Sequence, residues 1–205
     1  MSHASQPDRF YKVISNPANG DCLFHAISQG LLQHYQVKRS HKKVRKEVVR
    51  YLCKLLKTES HTRQEKWSAI VHNELEVWWR VQDYLATGIK DETPSSFSKF
   101  RRRYRKKMGS LGEPGTKLEL LAAANLFNFN AFYYEMGKNS KNCKGIISFK
   151  TSPIPIISFK EIAPPQEPKS TCRRDLCLMH SYDHAINCYA GHWELLIPCN
   201  ENCQV

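Results

Sequence analysis

The sequence predicts an α+β domain, because helical and strand-like patterns are separated along the chain. In the first half, apolar residues recur at spacings of three and four, as they do on one face of a helix. In the second half, short segments rich in aromatic and branched residues are bounded by Gly, Pro and Asn, as strands are. With 205 residues, the chain is long enough for one domain with a sizeable core.

The predicted helices follow one another along the chain from Cys22 onwards. The first begins at Cys22, and Ser40 is a suitable N-cap for the second, which reaches about Lys57. Thr116, with Glu119 three residues later, forms the capping-box pattern of the last helix. The remaining helical patterns cover residues 64–85, 97–108 and 117–126, with a glycine-rich loop at 109–115.

The predicted strands lie at residues 11–14, 130–136, 176–182 and 191–197. A short repeat separates the second from the third: Ile-Ile-Ser-Phe-Lys occurs at 146–150 and again at 156–160. The connector at 151–155 carries two prolines. Because the repeat occurs only twice, it favours a strand pair or two edge strands over a solenoid.

The net charge of +12 is concentrated in two basic runs, residues 38–46 and 99–107. Such runs can bind nucleic acid through its phosphates. Both runs also carry apolar residues at helical spacing, which favours the solvated face of a helix, with nucleic-acid binding as a secondary possibility. The excess of positive charge should bias the protein toward acidic partners.

The chain opens with a polar segment and has no apolar run near the roughly 18 residues needed to span a bilayer. We therefore expect a cytoplasmic protein, with the nucleus as an alternative location. The eight cysteines are then expected to be mostly reduced. Four of them cluster toward the C-terminus, but their gaps do not match the usual Cys-x-x-Cys zinc pair, so no metal is predicted. These four are Cys172, Cys177, Cys199 and Cys203.

The turn Asn19-Gly20-Asp21-Cys22 carries the strongest chemical signal, because it leads directly into an apolar helical pattern. A thiol at a helix N-terminus lies in the positive field of the helix dipole, which favours the reactive thiolate. The backbone N–H groups of Gly20, Asp21 and Cys22 are candidates for an oxyanion hole. A single cysteine in such a turn is more often structural than catalytic, so the chemistry depends on finding a base.

His192 is the strongest candidate for that base, in Gly191-His192-Trp193-Glu194. If this segment is a strand, His192 and Glu194 point to one side and Trp193 to the other. A carboxylate beside the imidazole can hold the ring and stabilise its charged form. A cysteine, a histidine and an acid together are typical of papain-like chemistry.

These segments resemble the OTU (ovarian tumour) family of cysteine proteases, which are deubiquitinases. The similar segments are residues 19–27, His41-x-x-x-Arg45 with 48–52, residues 104–123 with their loop, and 191–194. Two positions differ: Asn19 stands where the family usually has Asp, and Glu194 where it usually has Asn or Asp. The resemblance covers most of residues 10–198 and implies a papain-like fold with a small mixed central sheet flanked by helices.

The resemblance implies that the chain hydrolyses isopeptide bonds at the C-terminus of ubiquitin or a ubiquitin-like modifier. Cys22 would be the nucleophile, His192 the general base and acid, and Glu194 the residue that orients His192. Asn19 is the alternative third member or a support of the oxyanion loop, and Trp193 either lines the substrate channel or packs in the core. No cofactor is expected, and the protein is expected to be a monomer.

Three alternatives remain open at this level: a catalytically weak ubiquitin-binding module, a basic nucleic-acid-binding protein, and a protease of ordinary peptide bonds. The predicted organisation is a polar lead-in at 1–9, one catalytic domain at 10–198, and a tail at 199–205.

Overall fold

The computed structural model describes residues 9–55, 97–136, 146–149, 154–155, 175–181 and 191–199. The predicted helix at 64–85, the second repeat copy at 156–160 and most of the expected tail lie outside these residues. The described helices are α1 (Cys22–Tyr35), α2 (His41–Leu55), α3 (Phe97–Met108) and α4 (Lys117–Phe127). The described strands are β1 (Arg9–Ile14), β2 (Asn130–Met136), β3 (Ile146–Phe149), β4 (Ile154–Pro155), β5 (Asp175–Ser181) and β6 (His192–Cys199). The predicted α+β class is confirmed.

The strands form one mixed sheet in the order β3-β1-β6-β5-β2-β4. The β2–β5 pair is parallel and the other described pairs are antiparallel. β1, from the start of the described chain, pairs with β6 from its end, with Ile14 opposite Leu195. This pairing brings the turn that follows β1 beside the first residues of β6.

The short strands β3 and β4 lie at opposite edges of the sheet. The first repeat copy therefore forms an edge strand, as the sequence predicted. The prediction for the second copy lies outside the described residues, and the structure adds a two-residue edge strand, β4, at Ile154–Pro155, within the expected connector. An edge position accommodates Pro155, since proline has no N–H to donate to a neighbouring strand.

Side-chain caps explain where two of the helices begin. The Ser40 hydroxyl accepts a hydrogen bond from the N–H of Lys43, at 3.3 Å, as an N-cap residue does. At the start of α4, the Leu118 N–H donates to the Thr116 hydroxyl and the Thr116 N–H donates to the Glu119 carboxylate. The predicted capping box is confirmed. None of the described helices has the length and apolarity needed to cross a membrane.

The core lies between the sheet and the helices. Leu23, Phe24 and Ile27 of α1 are fully buried and belong to one cluster with Trp193 and Leu195 of β6. The approach is close: a Cβ at Gly30 of α1 would come within 2.1 Å of the Leu176 side chain. A smaller cluster on different strand residues, including Tyr11, Tyr134 and Leu196, forms a second apolar layer. Burial of α1 on β6 fixes the distance between Cys22 and His192.

Candidate active site

Cys22 is the first residue of α1, directly after the turn that the sequence predicted. Its side chain is 3% exposed, and Sγ lies 3.9 Å from the carbonyl oxygen of Gly191. The His25 N–H donates to the Asp21 carbonyl oxygen at 3.0 Å and closes the first helical turn. The thiol therefore lies where the helix leaves backbone N–H groups without intrahelical partners.

His192 is the first residue of β6 and contacts both Cys22 and Glu194. Its Nε2 lies 3.6 Å from Oε1 of Glu194, which leaves Nδ1 as the nitrogen available to the thiol. Nδ1 is buried and forms no hydrogen bond with another described residue. The Cys22–His192 contact is thus looser than a fully formed hydrogen bond, as is common in catalytic sites without substrate.

The surroundings of His192 favour its protonated form. Its pKa is raised from 6.5 to about 9, first by the side chain of Cys22 and then by Glu194, against the opposing effect of burial. A histidine with this pKa is mainly an imidazolium at neutral pH. A positive charge beside a cysteine favours its thiolate, which is the reactive form of the nucleophile.

Of the two candidates for the third member, the structure brings Glu194 and not Asn19 to His192. Asn19 is exposed, and its Oδ1 accepts a hydrogen bond from the N–H of Asp21 at 3.2 Å. It therefore supports the turn before the nucleophile and makes no described contact with the imidazole. Alternation along β6 places Glu194 on the side of His192, as predicted.

The predicted oxyanion donors differ in their surroundings. The N–H of Asp21 is already engaged by Asn19, whereas the N–H of Cys22 belongs to the first helical turn, where no intrahelical acceptor exists. Gly20 has φ +79°, and a Cβ there would lie 1.8 Å from the carbonyl oxygen of Gly112. Only glycine fits this position, which holds the turn against the loop that precedes α4.

Arg45 of α2 is a residue of the site that is buried, contrary to the prediction from the sequence. The basic run 38–46 was expected to be solvated, but Arg45 is 1% exposed. Its Nε and Nη2 donate to Oδ1 of Asp21, at 3.0 and 2.7 Å. Its guanidinium also lies 4.1 Å from the ring centre of Phe24. The signal was present in the spacing, because Arg45 precedes the buried residues Val48 and Val49 by three and four positions.

The remaining donors of Arg45 hold the loop after α3. Nη1 donates to the carbonyl oxygen of Met108 at 2.9 Å, and Nη2, besides its bond to Asp21, donates to those of Glu113 at 2.6 Å and Gly20 at 3.2 Å. The other oxygen of Asp21 accepts from the N–H of Gly112 at 3.2 Å. A buried charge is stable only when it is paired and hydrogen-bonded, and this network meets both conditions. The network fixes the position of the turn that carries Cys22.

Asn16, which the sequence analysis did not single out, joins the two halves of the site. It is 9% exposed, and its Nδ2 donates to the carbonyl oxygens of Trp193 at 3.0 Å and Cys22 at 3.4 Å. One amide group thus bridges α1 and β6, at Cys22 itself and at Trp193, the residue after His192. No sequence pattern marked it, because its partners are backbone atoms that are distant in the chain.

Trp193 packs in the core. It is 1% exposed, its Nε1 donates to the carbonyl oxygen of Gly115 at 3.1 Å, and its ring stacks on His180 with 4.1 Å between centres. The channel-wall alternative is therefore corrected in favour of packing, because almost none of the indole is accessible. Burial lowers the pKa of His180 to about 4, so this histidine is neutral at physiological pH.

No group of three or more His, Cys, Asp and Glu side chains in the described part of the chain could hold a metal ion. Of the four clustered cysteines, Cys172 and Cys203 lie outside the described residues. Cys177 lies on β5 and Cys199 ends β6, which places Cys199 in the sheet and not in the expected tail.

A buried cysteine at a helix start, beside a histidine that contacts a carboxylate, defines the site of a thiol-dependent hydrolase. The sequence model of the family described as "OTU-like cysteine protease" matches residues 17–156. The chain belongs to the OTU-like cysteine protease family. The matched range includes Cys22 and ends before His192, so the base is identified by the position of β6 beside α1.

Solved structures give further similarities. The chain is similar to an OTU deubiquitinase from Wolbachia pipientis wMel, with 15% identity, a TM-score of 0.48, and 94% of this chain and 91% of that chain covered. It is similar to the Hazara virus OTU bound to ubiquitin, with 16% identity, a TM-score of 0.47, and coverage of 93% and 83%. The viral OTU domain protease from Farallon virus shows 13% identity, a TM-score of 0.47, and coverage of 94% and 86%. No curated protein sequence matches the chain significantly.

Proposed function

We propose that the chain is a deubiquitinase, which hydrolyses isopeptide bonds after the C-terminal glycine of ubiquitin or a ubiquitin-like modifier. The observation that carries the proposal is the contact of His192 with both Cys22 and Glu194 in a chain of the OTU-like cysteine protease family. The arrangement provides a nucleophile, a group that moves the proton, and an acid that orients that group.

In the acylation step, the Cys22 thiolate attacks the carbonyl carbon of the modifier's terminal glycine. The carbonyl oxygen becomes an oxyanion, which backbone N–H groups at the start of α1 stabilise; one such donor is worth about 3 kcal/mol of barrier. The His192 imidazolium then donates its proton to the departing lysine amine. The C–N bond breaks, the lysine leaves as a neutral amine, and a thioester to Cys22 remains.

In the deacylation step, water replaces the amine. Neutral His192 takes a proton from the water molecule while the water oxygen attacks the thioester carbonyl. The C–S bond breaks, the modifier leaves as a carboxylic acid that releases its remaining proton to water, and Cys22 returns to the thiolate beside a protonated His192. Glu194 stabilises the imidazolium in the resting state and again at the end of the cycle.

The surroundings of the Cys22 thiol favour a substrate that is narrow on the side of the scissile bond. Cys22 is 3% exposed, and the backbone of Gly191 lies against its sulfur atom. A carbonyl can reach so buried a thiol only on a thin, extended segment without large side chains. A Gly-Gly tail has this shape, whereas the flank of an ordinary peptide carries side chains on both sides of the bond.

The competing candidate is a catalytically weak module that only binds ubiquitin. It is favoured by the two departures from the family pattern, Asn19 and Glu194. Glu is one methylene longer than Asp, and its oxygen lies 3.6 Å from Nε2 of His192, which is longer than a charge-assisted hydrogen bond.

The deciding experiment is a reaction with ubiquitin that carries an electrophile at its C-terminus. We expect a covalent adduct with the native chain and none with Cys22→Ala, and retention of the adduct by Cys53→Ala, which removes a different buried cysteine. Cleavage of diubiquitins but not of unstructured peptides would then separate a deubiquitinase from a general protease. A folded chain that binds ubiquitin and forms no adduct would instead establish the binding module.

Two further expectations accompany this proposal. The protein acts as a monomer, which light scattering of the purified chain tests. It works in the cytoplasm, with the nucleus as an alternative, which fractionation of cells that express it tests.

A further inference from the structure

The two basic runs of the sequence form neighbouring antiparallel helices. At one end, Nη1 of Arg45 in the first half of α2 donates to the carbonyl oxygen of Met108, the last residue of α3. At the other end, Arg105 and Arg101 of α3 lie near Cys53 of α2, where their charges oppose the effect of burial on the pKa of that thiol. Runs that are about 60 positions apart in the sequence therefore adjoin in space.

The outer side of this helix pair, here called the basic face, is formed by exposed cations. None of its seven members forms an ion pair with another described residue. Glu47, the one acidic residue of α2, pairs with Arg39, and α3 contains no acidic residue. The basic face comprises Lys42, Lys43, Lys46 and Arg50 of α2 with Arg102, Arg105 and Lys106 of α3.

The spacing on α2 matches a phosphate backbone. Lys42, Lys46 and Arg50 are four residues apart, so they lie on one stripe and are separated by about 6 Å along the helix axis. Every second phosphate of one strand in a duplex is separated by about 7 Å along its axis. Arg102, Arg105 and Lys106 form a second stripe on α3, at spacings of three and four.

The composition of the basic face argues against other acidic partners. Every exposed residue among positions 41–54 of α2 and 101–108 of α3, where burial is described, is Lys or Arg. Among residues whose burial is described, the exposed large apolar residues are Leu32, Val37 and Leu111, which lie outside positions 41–54 and 101–108. A protein interface usually centres on a buried apolar or aromatic anchor, and an interfacial helix inserts an apolar face into the bilayer. Contacts to phosphate need neither feature.

We propose that the basic face of α2 and α3 binds the phosphate backbone of nucleic acid without sequence specificity. This activity is separate from the proposed peptide hydrolysis, because no residue of the basic face belongs to the catalytic contacts. The net charge of +12 favours the same class of partner over the whole molecule.

The test is fluorescence anisotropy of labelled single-stranded and duplex oligonucleotides with the full chain, at several salt concentrations. Seven phosphate contacts predict a slope of log affinity against log salt near −5 on single strands, about a thousandfold between 50 and 200 mM salt. The double variant Lys46→Gln/Lys106→Gln should reduce the magnitude of that slope by about 1.4. The control Lys12→Gln/Lys117→Gln removes the same charge elsewhere and should leave the slope near that of the native chain.

Thermal unfolding shows whether each variant remains folded. The proposal is overturned by no oligonucleotide binding at low salt, by equal loss of binding in both double variants, or by binding to vesicles of anionic lipid without binding to oligonucleotides. A contribution from a different surface would appear as a slope unchanged by Lys46→Gln/Lys106→Gln, which also contradicts it.

Discussion

Asp21 and Arg45 form a buried ion pair, with 2.7 Å between Oδ1 and Nη2. Asp21 immediately precedes the nucleophile, and Arg45 belongs to the next helix. The pair neutralises the carboxylate of the residue next to Cys22 in the chain and joins the catalytic turn to α2 and to the loop before α4. The nucleophile is thus held by a charged network that takes no part in bond breaking.

Replacing Arg45 with Met should destabilise the fold strongly. The change leaves the Asp21 carboxylate buried without its partner, and loss of one member of such a pair costs about 3–5 kcal/mol. Urea denaturation measures this loss. Arg50→Met, at an exposed position of the same helix, is the matched control and should change the free energy of unfolding by about 0.5 kcal/mol or less. A loss below about 1 kcal/mol for Arg45→Met would contradict the structural role of the pair.

Glu194→Gln should lower the pKa of His192. Glu194 is the second cause that raises this pKa to about 9, so removal of its charge shifts the titration toward lower pH. The alkaline limb of the pH–rate profile reports the loss of the His192 proton and should move the same way. NMR titration of the ring measures the pKa directly. Glu47→Gln, on the surface of α2, should move neither, and an unshifted His192 in Glu194→Gln would refute the assignment of the third member.

His180 should make the fold sensitive to mild acid. Its pKa in the folded chain is lowered to about 4 from 6.5, so the unfolded chain binds the proton more readily. Its contribution to stability is therefore complete above pH 6.5 and is lost as the pH falls toward 4. Denaturation at several pH values should show a smaller decline over this window in His180→Gln than in the native chain. An identical decline in the two proteins would rule this out.

Gly191→Ala should impair catalysis through the position of His192. A Cβ at residue 191 would lie 2.0 Å from Nε2 of His180, so the His180 ring or the start of β6 must shift. A displacement of about 1 Å at a catalytic group can cost on the order of 100-fold in rate. The second variant His180→Ala/Gly191→Ala makes room for the new methyl group and should recover part of the rate. No recovery, with both variants folded, would show that the clash is not the cause.

Asn16→Ala should lower the turnover number more than it raises KM. The amide bridges the carbonyl oxygens of Cys22 and Trp193 and so holds nucleophile and base at one separation. Asn125→Ala provides the control, because Asn125 also donates its amide to a carbonyl oxygen, at 2.9 Å, within α4. Both variants should lose about 1 kcal/mol of stability. Only Asn16→Ala should change the pH–rate profile, and equal profiles would reduce Asn16 to an ordinary structural residue.

The catalytic residues could be predicted from the sequence, whereas the residues that hold them in position could not. Cys22, His192 and Glu194 could be proposed because a turn-to-helix junction and strand alternation are local patterns. The burial of Arg45 was missed, since a basic run looks solvated until its partners, three backbone carbonyls and one carboxylate, are known. The bridge through Asn16 and the packing of Trp193 depend on contacts between distant segments, which periodicity does not encode. Strand β4 was not predicted within the connector, because an edge pair of two residues leaves almost no pattern.

The pairing of β1 with β6 also determines when the catalytic site can form during synthesis of the chain. The nucleophile follows β1 near the start of the chain, whereas the base opens the last described strand, 170 positions later. While the chain is being synthesised, the thiol exists long before its histidine does. The catalytic contact can form only when β6 inserts between β1 and β5, so the last described strand both completes this part of the sheet and brings the base to the nucleophile. A ribosome-bound chain that stops short of residue 192 would contain Cys22 without its catalytic base.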